Sequence, residues 1–176
     1  MLERKVKGLG KPILYLDFDG VLHPEYCYWH PRKGPYLKAP GHSLFEHLPV
    51  LEALLSPYPQ VKIVLSTTWV QTYRYNGTAR KLGPNLRERV IGATYHTGMS
   101  RDNFRDIPRG LQIWADVARR QPSGWVAIDD DAFKWPDWVR DQLVLTDGLL
   151  GLGEERAQCE LAEKLQMLAD EHKSGR

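Results

Sequence analysis

Three short apolar runs constrain this chain most: Ile13-Leu14-Tyr15-Leu16, residues 61–65 and residues 125–128. A strand with one wet face alternates apolar and polar residues. A nearly continuous apolar run of this length reads instead as a strand buried on both faces. Helix-period segments lie between the runs. Leu51, Leu54 and Leu55 share a face, and Pro49 suits a first helical turn, so a helix is expected to start near Leu48. Ser43 to Glu46 also has the spacing of a capping box, but Pro49 would then fall inside the helix. A second helix is expected over 109–120, with Leu111, Trp114, Ala115 and Ala118 on one side, and a last one over 154–170 that groups Leu161, Leu165 and Leu168. Weaker strand signals lie at 143–145 and 90–91. The alternation predicts an α/β fold with three Rossmann-like layers, a mainly parallel sheet covered by helices on both faces.

Composition narrows the class. At 176 residues the chain is read as one domain, 1–176. With 42% hydrophobic and 26% charged residues it is not a disordered polymer, and a net charge of +2 is too small for a general polyelectrolyte binder. Cys27 and Cys159 make neither a disulfide framework nor a zinc ribbon. The sequence has no apolar run of about 20 residues, and its start, MLERKVKGLGKP, is charged where a leader is apolar. No membrane association and a cytoplasmic location are therefore expected.

The chemistry-bearing signals follow the strands. Asp17-Phe18-Asp19-Gly20-Val21 comes directly after the first run. Two carboxylates one residue apart at a strand end can point into one space, and Gly20 lets the chain turn there. A solvated acidic turn is the plainer explanation. A calcium loop fits badly, because Leu22 stands at the required glycine and Tyr28 at the closing glutamate. Ser66-Thr67-Thr68 follows the second strand, where hydroxyls and turn N–H groups can hold a phosphate oxygen, or simply start a turn. Asp129-Asp130-Asp131 follows the third, and three adjacent acids repel unless a cation sits among them. Arg109 opens the helix before that strand, at the same edge of the sheet, where an anionic partner would offset its unfavourable place on the helix dipole.

The order acid pair, hydroxyl, cation, acid cluster resembles the haloacid dehalogenase (HAD) superfamily of aspartate-nucleophile phosphohydrolases, over about residues 12–153. Leu65-Ser66-Thr67-Thr68-Trp69, Gly110-Leu111-Gln112-Ile113-Trp114 and Ala127-Ile128-Asp129-Asp130-Asp131 look like the HAD domain of Swiss-army-knife RNA repair proteins. The resemblance implies a phosphatase with a HAD-like core. Asp17 would be the nucleophile forming an aspartyl-phosphate, and Asp19 the acid and then base. Ser66, with Thr67, Gly20 and Arg109, would hold the phosphoryl group. Mg²⁺ would be bound by Asp17, Asp19 through its backbone carbonyl, and Asp130, with Asp129 in support. Three acids stand where many relatives have two, which leaves open whether Asp129 or Asp130 is the main ligand. Val21 replaces a frequent Thr and removes one hydrogen bond.

Neither irregular stretch, 20–47 or 71–108, is long enough for a large cap domain: the first suits a flap, the second a small helical excursion. An open site favours a large substrate or a cap lent by a partner. Residues 71–110 carry eight Lys or Arg against three acids, an excess of five positive charges. Tyr26, Tyr28, Trp29 and Tyr36 interleave with Arg32, Lys33 and Lys38. Aromatics with cations can hold single-stranded nucleic acid, so a phosphorylated substrate at a nucleic-acid end, or a nucleotide, is a candidate. The plainer reading is a solvated basic face with aromatics packed under loops. His23, Cys27 and His30 invite a zinc reading but lack a convincing fourth ligand. Trp135-Pro136-Asp137-Trp138 is expected to pack a loop over the sheet edge. The alternative in another class is a non-catalytic phosphate- or protein-binding module with a HAD fold.

Overall fold

The structure, a computed structural model, describes residues 6–174. Five parallel strands form the central sheet in the order β5-β4-β1-β6-β7: β1 (Pro12–Leu16), β4 (Lys62–Leu65), β5 (Val90–Ala93), β6 (Gly124–Asp129) and β7 (Leu143–Leu145). A separate antiparallel hairpin pairs β2 (Cys27–His30) with β3 (Gly34–Leu37). The helices are α1 (Leu48–Leu55), α2 (Trp69–Arg80), α3 (Gly83–Arg87), α4 (Arg101–Asp106), α5 (Arg109–Arg120) and α6 (Glu155–Ser174). α1 begins where Pro49 placed it, and the Ser43–Glu46 signal makes a local turn in which the Glu46 carboxylate accepts the Ser43 N–H at 3.2 Å. α6 runs four residues past its expected end. The weak signals at 90–91 and 143–145 are the two edge strands.

Strand parity explains the three layers. Leu14, Leu16, Ile63, Leu65, Val126 and Ile128 face one way, into a core closed by Leu51 and Leu55 of α1 and by Ala157, Leu161, Leu165 and Leu168 of α6. Ile13, Tyr15, Val64, Trp125 and Ala127 face the other way, against Ile113 and Val117 of α5. Because both faces are covered, the strand sequences show no alternation.

α5 corrects the expected helix face. Leu111 and Trp114 point outward, 37% and 38% exposed, and Ala115 and Ala118 are exposed with them. The buried side is Ile113, Asp116, Val117 and Arg120, at i, i+3, i+4 and i+7. The physical reason is a polar network inside the core. The Tyr15 hydroxyl donates to Asp116 at 3.0 Å, Arg120 Nε donates to the same carboxylate at 2.6 Å, and Arg120 also donates to the Lys7 carbonyl at 2.7 Å. Tyr15 needs an acceptor where it is buried, and α5 turns its acid inward to provide one.

Among the described residues no large cap is inserted. The stretch 20–47 contributes the β2–β3 hairpin, and 71–108 contributes α2 to α4 with β5. No helix of the described residues is long and apolar enough to cross a membrane.

Candidate active site

Register builds the site. Leu16 pairs with Leu65 on one side and Ile128 on the other. The next residues, Asp17, Ser66 and Asp129, therefore leave the sheet side by side at its carboxyl edge, where α/β folds place ligands. Arg109 at the start of α5 ties these ends together. Its guanidinium lies 3.3 Å from Asp17 Oδ2 and 3.3 Å from Asp129 Oδ2, and it donates to the Ser66 carbonyl and, at 3.5 Å, to Ser66 Oγ. The sequence signals at Asp17, Ser66, Arg109 and Asp129 thus converge on one point.

The turn after β1 depends on Gly20. Its φ is +70°, and a Cβ there would fall on the Asp130 carboxylate, with Asp130 Cβ only 2.7 Å away. Glycine both makes the left-handed turn and lets Asp130 close over it. Thr146, directly after β7, donates to the Gly20 carbonyl at 2.7 Å and fixes the turn from the far edge.

Oxygen atoms of Asp17, Asp129 and Asp130 lie within 4.8 Å of one another. Burial pushes the Asp17 carboxyl above its usual range. Arg109 opposes this, Asp19 adds to it, and the Phe18 N–H and Thr67 hydroxyl favour the charged form. Burial, then Asp17, raises Asp129 well above the usual range against Arg109. Asp130 is pushed up to about 7 by burial, then Asp17, then Glu25. Burial alone would lower Arg109, but Asp17 and Asp129 outweigh it and hold the guanidinium charged. One largely enclosed cation thus faces three crowded carboxyls, and Asp129 Oδ2, ion-paired with Arg109 Nε at 3.3 Å, is enclosed without a hydrogen bond. An all-oxygen set with an unsatisfied buried carboxylate oxygen fits a hard divalent cation, whose charge would return these groups to their ionised forms.

Asp19 turns elsewhere. Trp69 Nε1 donates to both its oxygens at 3.0 Å, and His23 Nε2 lies 3.0 Å from Oδ1. The Phe45 N–H donates to His23 Nδ1 at 3.3 Å, which leaves the ring proton on Nε2, facing Asp19. His23 is fully buried and Asp19 partly open, so the carboxylate is aimed and still reachable. The zinc reading changes accordingly: His23 and Cys27 group with Asp19, not with His30, whose Nδ1 accepts the Arg32 N–H.

Ser66 and Thr67 are buried, whereas Thr68 is exposed. Two clefts flank this corner. One, about 260 Å³, runs past Thr67, Thr68, Arg105, Arg109 and Lys134. The other, about 180 Å³, lies between the hairpin and α2, with Asp19 in its lining. Tyr26, Tyr28, Trp29 and Tyr36 are 37–54% exposed, which corrects the expectation that they pack under loops. A short two-stranded hairpin has no core beneath it to bury them. Trp135 does pack, 5% exposed against α5, but Trp138 stands out at 69%. The sequence gives Thr146 no role; His23 reads there only as a zinc candidate, Thr68 and Trp69 only as part of the motif after the second strand, and Arg105 only as one of the basic residues. Trp69 and Thr146 meet Asp19 and Gly20 only across long chain separations, whereas His23 lies four residues from Asp19.

The chain matches no curated protein and no solved structure. The profile of the HAD domain in Swiss Army Knife RNA repair proteins matches residues 13–157, from β1 to the start of α6. That span contains every strand end and helix start that builds the site described above, and the chain belongs to this family of HAD domains.

Proposed function

We propose that the protein is a magnesium-dependent phosphomonoester hydrolase that works through an aspartyl-phosphate, acting on nucleic-acid ends or nucleotides. The observation that carries this reading is the Arg109 bridge between Asp17, Asp129 and Ser66 at one strand edge. Phosphate monoesters hydrolyse slowly because an anionic nucleophile must approach an anion, so the site has to supply positive charge. Arg109 supplies part of it. Mg²⁺, held by Asp17, Asp130 and Asp129, would neutralise charge spreading over the phosphoryl oxygens.

The steps then follow from the side chains. A carboxylate oxygen of Asp17 forms a bond to phosphorus as the ester P–O bond breaks. Asp19 gives its proton to the departing oxygen. Water next attacks the phosphorus of the aspartyl-phosphate, Asp19 takes the water's proton, and Asp17 leaves as a free carboxylate with inorganic phosphate released. Arg109 and Ser66 hold the phosphoryl oxygens, with Thr67 and the turn at Gly20 alongside. His23 and Trp69 keep Asp19 pointed at the leaving oxygen. The basic stretch 71–110 and the exposed hairpin aromatics support a nucleic-acid end as the phosphate's carrier.

The test is phosphate release from a panel of sugar phosphates, nucleotides, and 3′- and 5′-phosphorylated RNA and DNA ends, with and without magnesium. Release is expected only with the metal and best from nucleic-acid ends. Asp17→Asn should lower kcat at least ~10³-fold and Asp19→Asn about 10²–10⁴-fold. An intact protein inactive across the whole panel would instead favour a binding module.

A further inference from the structure

The cleft between the β2–β3 hairpin and α2 has a composition that the phosphoryl chemistry does not use. Tyr28 and Trp29 lie on the hairpin side, 45% and 54% exposed. Across from them Trp69 and Tyr73 stack on each other, ring centroids 5.3 Å apart and planes 30° apart. Asp19 and Arg105 are the charged residues of the lining. Trp69, 5% exposed, backs Tyr73 from the core, and its indole N–H donates to Asp19, so the aromatic wall and the proton donor are in direct contact. Asp19 lines this cleft and not the neighbouring one that runs past Arg109.

Resting on the phosphatase reading above, we propose that this slot is the subsite for the base of the terminal phosphorylated nucleotide. Asp19 protonates the leaving oxygen, so whatever that oxygen belongs to must lie on the Asp19 side of the phosphorus, at the mouth of the slot. The slot, about 180 Å³, falls below the roughly 300 Å³ at which pockets begin to enclose whole drug-sized ligands. It suits one flat ring with the sugar left outside. Aromatic faces take any base, because each base presents a π-face, and the Arg105 guanidinium adds a cation beside the ring. The occupant is therefore a nucleobase, bound with little sequence preference.

The experiment compares kcat/KM for magnesium-supported phosphate release from two substrates, a terminally phosphorylated dinucleotide and the same molecule without the terminal base. RNA and DNA versions, each with a 3′- or 5′-phosphate, form separate arms. The intact protein should prefer the base-bearing substrate by about tenfold or more, the effect of one base–aromatic stack. Trp29→Ala should erase most of that preference, Trp29→Phe should keep it, and Trp138→Ala, outside both clefts, should retain the intact ratio. Equal rates on both substrates in the intact protein, or equal losses on both in Trp29→Ala, would overturn the subsite while leaving the phosphatase reading standing. If neither substrate releases phosphate, the phosphatase reading fails, and calorimetric binding of the same two molecules decides the subsite: tighter binding of the base-bearing one supports it, and equal binding overturns it.

Discussion

At the scale of single residues, the environment of Asp19 reaches beyond its own carboxylate. Cys27, half-buried in the hairpin, has its thiol pushed up to about 12 by burial first and by Asp19 second. A raised thiol pKa means the proton stays on through neutral pH. Little Cys27 is therefore thiolate at pH 8, so its alkylation should be slow. Exposed Cys159 should react first with iodoacetamide, as read by peptide mass, and Asp19→Asn should speed the Cys27 reaction by removing the second cause. Modification of Cys27 in the intact protein as fast as that of Cys159 would contradict the raised thiol. The positions of Asp17, Arg109 and Asp129 are legible in sequence because strand ends and a helix start fix them locally. The aim of Asp19 is not, since Trp69 lies 50 residues away and its indole meets Asp19 only in the fold.

At the scale of elements, α5 shows where reading apolar spacing fails. Its buried stripe carries Asp116 and Arg120, each 4–5% exposed, and its exposed stripe carries Leu111 and Trp114. Hydrophobic periodicity assumes that polar residues face water, and here a Tyr15–Asp116–Arg120 network satisfies them in the core instead. Asp116→Ala leaves the buried Arg120 with the Lys7 carbonyl but no counter-charge, and should cost about 3–5 kcal/mol in urea unfolding. A loss below about 1 kcal/mol would mean that the network does not hold α5 to the sheet. α6 and α1 are read correctly for the opposite reason: Leu161, Leu165 and Leu168 of α6, like Leu51 and Leu55 of α1, bury the apolar side that their spacing marks. The hairpin carried no strand pattern, because its aromatics are exposed on a two-stranded ribbon and answer to no core.

At the scale of the whole molecule, parallel register does most of the functional assembly. Aligning Leu16 with Leu65 and Ile128 brings residues 17, 66 and 129 to one edge, and α5 delivers Arg109 to the same place. The slot and the cationic cleft open on either side of that edge, sharing Thr68 and Arg105. With no large cap among the described residues, a phosphate at the end of a long chain can enter while the rest of that chain stays outside. In the proposed reaction an oxygen of Asp17 becomes bonded to phosphorus. The most direct measurement is to mix the protein with magnesium and a reactive phosphomonoester, quench, reduce the acyl phosphate with borohydride and map the modified residue by peptide mass. Conversion of residue 17 alone is expected, and none in Asp17→Asn. Turnover by an active protein with residue 17 unmodified, or with the modification on another carboxylate, would contradict it.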